Sequence, residues 1–334
     1  MRILILGGTA FLSAATARLA VARGHRVSCL ARGTHRRPPD GADWVRADRD
    51  DGDAAYSAVA GRDWDAVIDV AMQPVHVRQA LSALAGRTGH WTLVSTISVY
   101  ADDRTPDQGE DAPLHPALPA DTFSDPADYG PAKVACEEAV RAASVRAHIC
   151  RAGLIAGPGD GSDRFGYWPA RFARDEADDV LVPDVPELIT QVIDVDDLAG
   201  WLLDAAEGGI TGTFNATGES TPFPEVLAAA QQAAGHRGRQ VAVPEEFLIT
   251  EGVQYWAGPA SLPLWVPAED AGFGRRSIAA ARAAGMALRP LTETIERTLA
   301  DERERGVLRD RRAGLSPQTE ERLLAAWRAR SRGS

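Results

Sequence analysis

The sequence predicts an α/β protein whose main body is a doubly wound parallel sheet, followed by a smaller C-terminal part. Two observations predict it. Through the first half, short apolar runs alternate with stretches of helical periodicity, and the gaps suit crossover helices rather than hairpins. The first run also ends in Gly7-Gly8-Thr9 at the opening of a helical pattern, a junction that parallel sheets covered on both faces use repeatedly.

The elements follow in order. Arg2–Leu6 is an apolar run and reads as the first strand, and residues 10–23 carry Leu12, Leu19 and Val21 at helical spacing. Arg26–Ala31 reads as the second strand. Further strands are expected at 44–47, 64–70, 91–94 and 147–151, with helices near 50–61, 73–86 and 128–145. The Pro- and Asp-rich stretch 102–126 interrupts the alternation, and a loop of that length inside a compact domain is usually functional or mobile. The main body is therefore assigned to residues 1–152, with 102–126 as an insertion. After Arg151 the pattern loosens at Gly157-Pro158-Gly159-Asp160-Gly161, so 153–334 is expected to form mainly the smaller part. Residues 191–215 are expected to return to the main body through short strands at 191–194 and 213–215, and an amphipathic helix is expected over 315–330.

Composition narrows the function. A formal net charge of −11 lacks the positive field that holds a phosphate backbone, so no nucleic-acid partner is expected. No run reaches the ~20 apolar residues of a membrane span, and the apolar N-terminus passes straight into the glycine turn without a secretory cleavage site. Cys29, Cys136 and Cys150 are too few and too scattered for a disulfide framework or a zinc ribbon, and are expected as buried thiols in a reducing cytosol. The histidines show no metalloprotease spacing and no Gly-x-Ser-x-Gly elbow is present, so neither a metal site nor a serine hydrolase is expected. A cytoplasmic enzyme acting on a small molecule fits best.

One residue stands apart. Lys133 is the only lysine in the chain, every other basic side chain except histidine being arginine. A compact ammonium can hydrogen-bond hydroxyls in ways a planar guanidinium does not reproduce. Lys133 lies four residues after Tyr129, and with five tyrosines a randomly placed lysine would fall at that spacing roughly one or two times in a hundred. Chance is a weak explanation for the pair. The turn Gly7-Gly8-Thr9-Ala10-Phe11-Leu12-Ser13, between strand and helix, is where a sheet of this kind holds a pyrophosphate on backbone N–H groups and a helix N-terminus.

With these residues the sequence resembles the extended or atypical short-chain dehydrogenase/reductases of the NAD(P)-dependent epimerase/dehydratase family, which have a Rossmann-type sheet. The resemblance extends through Arg151 to Gly157-Pro158-Gly159, through 191–199, and through Gly212-Thr213-Phe214-Asn215. It implies that Tyr129 exchanges a proton with a substrate oxygen, that Lys133 favours the phenolate and holds the nicotinamide ribose, and that Thr96 hydrogen-bonds the same oxygen, with Ser95 and Ser98 as alternatives. An unassisted phenol is a poor base at neutral pH, and a nearby ammonium favours its ionised form. The family pattern has glycine where Gly7, Ala10 and Ser13 stand, so two of three are replaced, and weakened dinucleotide binding is expected rather than its loss.

The resemblance also implies the cofactor contacts: Gly7, Thr9, Ala10, Phe11 and Leu12 in the turn, Asp48 and Arg49 beside the adenine, Ala71, and Lys133. NAD-preferring relatives have an acidic residue at the end of the second strand. Here Ala31 stands there, followed by Arg32, with Arg36 and Arg37 close behind, so NADP(H) is expected, with Arg32 on the 2′-phosphate and NAD(H) as the alternative. The C-terminal part becomes mainly substrate-binding, and Arg164, Tyr167 and Trp168 are expected in the substrate pocket. Sugar-nucleotide enzymes of the family commonly carry Asn where Leu154 stands. Carbonyl reduction or alcohol oxidation on a small metabolite is therefore the expected activity. Nucleotide-sugar epimerisation or dehydration is an alternative, as is a non-catalytic dinucleotide-sensing or RNA-binding role. By analogy, two copies would pair through the helices near 73–86 and 128–145.

Overall fold

The computed structural model describes residues 1–34 and 36–332. In β1 (Arg2–Leu6) every residue but Arg2 is buried, as a central strand covered on both faces requires. The chain then runs through α1 (Phe11–Ala22), β2 (Arg26–Ala31), β3 (Ala42–Arg46), β4 (Ala66–Asp69), α2 (Pro74–Leu84), β5 (Trp91–Thr96), α3 (Tyr129–Ala142) and β6 (Ala147–Ala152). Next come β7 (Leu154–Ala156), α4 (Arg164–Phe172), β8 (Val180–Pro183), β9 (Ile189–Asp194), α5 (Val195–Gly208), β10 (Gly212–Ala216), β11 (Ser220–Pro222), α6 (Phe223–Ala234) and β12 (Gln240–Val243). Short elements follow, α7 (Glu245–Thr250), β13 (Gln254–Tyr255), β14 (Ser261–Leu262) and α8 (Ala279–Ala283), before the long helices α9 (Leu291–Arg305) and α10 (Pro317–Arg332).

Seven strands form one parallel sheet in the order β10-β6-β5-β4-β1-β2-β3. The order reverses between β1 and β4, and ligands of such sheets lie at that switch, beyond the carboxyl ends of the strands. Alternation along β1 divides the core. Ile3 and Ile5 pack with α1 and α5 on one face, while Leu4 and Leu6 pack with α2 and α3 on the other. A third core, built from α4, α6, α9, α10 and β8, belongs to the C-terminal part.

Three elements differ from the sequence reading. Residues 50–61 form no α-helix; Arg49–Tyr56 is a 3₁₀ segment broken at Gly52, whose φ of +67° ends the regular backbone. Residues 191–194 lie in β9, which pairs with β7 and β11 in a separate three-stranded sheet, because β10 occupies the place beside β6 in the large one. The stretch 102–126 is pinned along its length. The buried Arg276 guanidinium donates to Gln108, to the Asp102 carbonyl and to Asp103, and Gln73 exchanges two 2.9 Å bonds with the Phe123 backbone. Among the described residues no helix is long and apolar enough to cross a membrane.

Candidate active site

The turn after β1 lies directly on β2: a Cβ on Gly8, whose φ is +98°, would stand 2.4 Å from Cys29 Sγ. Ala10 caps α1 without a side-chain bond, so the first-turn N–H groups receive no side-chain acceptor from the cap. Ser13, where the family has glycine, is accommodated because its buried hydroxyl donates 2.8 Å back to the Ala10 carbonyl. Ala10, Phe11, Leu12 and Ser13 form one wall of a cavity of about 530 Å³.

The opposite wall comes from β5 and α3, and it brings Thr96, Tyr129 and Lys133 to the same cavity. Gly130 permits this approach, since a Cβ there would stand 2.1 Å from the Ser98 carbonyl oxygen. The Tyr129 hydroxyl has no hydrogen-bond partner among the described residues, and its ring leans on Phe123 at 6.2 Å between centroids. Thr96 Oγ1 accepts from the Ser98 N–H and donates to Ser98 Oγ, both at 3.2 Å. Ser95 also borders the cavity, but its hydroxyl donates at 2.6 Å to the buried Glu137 carboxylate. Lys133 is 2% exposed, and its ammonium donates at 2.6 Å to the carbonyls of Ala71 and Val94. An ammonium has three donors, so one is left for a ligand hydroxyl.

The expected dinucleotide contacts divide. Gly7 and Thr9 lie within the turn, and Ala71 presents its carbonyl to Lys133 as described. Arg32 follows β2 with its side chain 55% exposed, and Asp48 and Asp50 pair with it only loosely, at 3.7 and 3.9 Å. The Arg49 guanidinium turns inward and makes a two-bond pair with the fully buried Asp69 at 2.7 and 3.1 Å, so its side chain is engaged within the fold. Asp48 remains at the surface, capping the 3₁₀ segment through Asp50 N–H. A glycine turn against the strand, a helix start with an uncapped first turn and a buried ammonium with a spare donor fit the pyrophosphate and ribose of a dinucleotide.

Of the three expected substrate residues, only Arg164 reaches the cavity. Tyr167 and Trp168 are 0% exposed in the C-terminal core, and Trp168 Nε1 donates to the Pro263 carbonyl at 2.8 Å. They sit one turn further along α4, about 5 Å deeper, and that step takes the rings from the cavity mouth into the core. The cavity is instead closed by Leu154, Trp256, Phe273, Asp160 and Arg312. Apart from Leu154, these residues lie in irregular segments that only the fold assembles, so no local pattern in the sequence marks them. Burial pushes the Asp160 carboxyl above its ordinary pKa, against the bonds it accepts from Ser162.

A family model described as the NAD dependent epimerase/dehydratase family matches residues 3–216. No curated relative matches the chain. Among solved structures, an epimerase candidate from Burkholderia cenocepacia J2315 superposes with a TM-score of 0.70 at 23% identity, covering 91% of this chain and 98% of that one. The UDP-glucuronic acid 4-epimerase of Bacillus cereus, solved with NAD, gives 0.67 at 16% identity and covers 91% and 99%. The Bordetella bronchiseptica enzyme WbmG, solved with NAD and UDP, gives 0.66 at 17% identity and covers 92% and 96%. At these identities the likeness establishes the fold.

Proposed function

The chain belongs to the NAD dependent epimerase/dehydratase family and is an enzyme of that nicotinamide-dependent kind; from this premise we propose that it is an NADP(H)-dependent oxidoreductase interconverting a carbonyl and an alcohol on a small metabolite. The observation that carries the reading is the convergence of Thr96, Tyr129 and Lys133 on one cavity with the glycine turn. A bound nicotinamide would supply or accept the hydride. Tyr129 Oη, free of other partners, delivers a proton to the substrate oxygen or removes it, and Thr96 Oγ1 orients that oxygen. Lys133 places its remaining N–H toward the ribose while the Ala71 and Val94 carbonyls fix its position. The NADP(H) preference is supported by Ala31 in place of an acidic residue and by the exposed, loosely paired Arg32. A cytosolic setting is part of the proposal, supported by three buried, unpaired thiols.

Calorimetric titration with NADPH and separately NADH tests the cofactor. NADPH should bind at least about tenfold more tightly, a preference that Arg32→Ala removes. Equal affinities would overturn it. A second reading, epimerisation or dehydration of a nucleotide sugar, draws support from the family's name. Leu154 is buried at the cavity wall where such enzymes commonly carry Asn, which disfavours this reading. Proton NMR of UDP-sugars incubated with the protein and NAD decides between them, since inverted or dehydrated sugar would establish the second.

A further inference from the structure

Two arginines at the cavity make no ion pair within 4 Å among the described residues, although the Asp160 carboxylate acts on Arg164 from a greater distance. Arg164 opens α4, with its guanidinium 5.3 Å over the Trp256 ring and Nε 3.3 Å from Ser162 Oγ. It makes no ion pair among the described residues. Burial disfavours its charged form, and Asp160 and Tyr129 offset that only in part. Arg312 comes from the segment after α9. Its side chain is exposed and has neither ion pair nor hydrogen bond among the described residues, while its backbone N–H donates to Asp163 Oδ2 at 2.9 Å.

The neighbours of Arg312 behave differently. Arg305, Arg309 and Arg311 all pair with the buried carboxylates Asp163 and Glu302, with Arg311 Nη2 2.7 Å from Glu302. Asp163 thus anchors the segment twice, through arginine side chains and through the Arg312 N–H. With both carboxylates taken, Arg312 is left over. In a chain of net charge −11, the two guanidinium groups bordering one cavity outnumber its one carboxylate, Asp160, and are a local reversal of sign.

Resting on the oxidoreductase reading above, we propose that Arg164 and Arg312 form an anion clamp, so that the substrate is a small carbonyl or alcohol compound bearing a carboxylate or phosphate group. Guanidinium groups match both anions in geometry and charge. Leu154, Ile97 and Phe273 form an apolar wall in the same cavity, which suits a hydrocarbon body. A cavity of about 530 Å³ that must also hold the nicotinamide end leaves room for a small substrate only.

The test measures binding of benzoate, phenyl phosphate and the neutral benzamide by calorimetry, to the protein alone and to the protein saturated with NADPH. The two anions should bind at least about tenfold more tightly than benzamide, the scale of one charge-assisted hydrogen bond. Whichever of benzoate and phenyl phosphate binds more tightly identifies the anionic group. Arg312→Ala and Arg164→Gln should each remove most of that advantage while leaving NADPH affinity within about twofold. Arg312→Ala keeps the backbone anchor, so its fold is not at risk. No advantage for the anions in the wild type, including no binding by any of the three probes, overturns the clamp. So does a loss of NADPH affinity in the arginine variants, which would assign them to the dinucleotide. If NADPH itself does not bind the wild type, the proposed function fails, and the clamp is still read from the protein alone.

Discussion

Lys133 shows how one residue joins stability and chemistry. Its buried ammonium satisfies two carbonyls from different strands, Ala71 after β4 and Val94 in β5, and so ties the two strand ends that flank the cavity. Lys133→Met leaves both carbonyls without that donor, and the urea midpoint should fall by the equivalent of roughly 1–3 kcal/mol together with dinucleotide affinity. Tyr129→Phe removes an oxygen that has no hydrogen-bond partner among the described residues. Stability should be unchanged, dinucleotide affinity retained, and turnover reduced by roughly 10²–10⁴ with whichever carbonyl substrate a screen identifies; unchanged turnover would remove Tyr129 from the mechanism. That both residues border the cavity agrees with what singles them out in the sequence, the lysine's isolation and the tyrosine's spacing from it. The inward turn of Arg49 was not legible, because its partner Asp69 lies twenty positions further along the chain, at the end of β4, and only the fold brings the two together.

At the scale of elements, α3 is held by a buried polar network as well as by apolar packing. Glu137 accepts from Ser95 of β5 at 2.6 Å and from Arg151 of β6 at 2.8 and 3.0 Å, and the Arg151 guanidinium lies 4.8 Å from the Tyr100 ring centroid. Burial opposes ionisation of Glu137, but the bonds from Arg151 and Ser95 outweigh it and hold its pKa below the ordinary value. Arg151→Met would leave the carboxylate with Arg141, itself partly exposed, as its remaining cation. The expected loss is about 3–5 kcal/mol in chemical denaturation. A value under about 1 kcal/mol would show that α3 is held by its apolar face alone. The helix α4 marks a limit of periodicity. Arg164, Tyr167 and Trp168 share a helical face by spacing, yet a face that runs from a cavity into a core changes environment within one turn.

Across the whole molecule, stability should depend on pH through His148. Its ring is buried against Trp201 and Phe214 at 5.2 and 5.4 Å, and among the described residues both ring nitrogens lack a hydrogen-bond partner. Burial lowers its pKa to about 3. Because the folded value lies below the unfolded one, the unfolded chain takes up the proton first as pH falls below about 6.5, and stability is lost progressively from there down. Above that pH the residue contributes no pH dependence. His148→Leu should therefore lose about 2 kcal/mol less than the wild type between pH 7 and pH 5, measured by urea unfolding at each pH. Equal losses would mean that His148 does not govern the acid limb.

The sequence by itself determined the wound sheet, the position of the glycine turn and the placement of Tyr129 and Lys133 one helical turn apart. Those depend on local periodicity and short spacing, which are read along the chain. Ser95, Thr96 and Ser98 all border the cavity; the tertiary structure alone decided that the Ser95 hydroxyl is engaged by Glu137 while Thr96 and Ser98 bond to each other, and it alone decided what closes the cavity. Trp256, Phe273 and Arg312 come from irregular segments more than a hundred residues beyond Tyr129. Their convergence depends on the packing of α4 and α9 and on the Asp163 anchor, long-range contacts that no local pattern encodes.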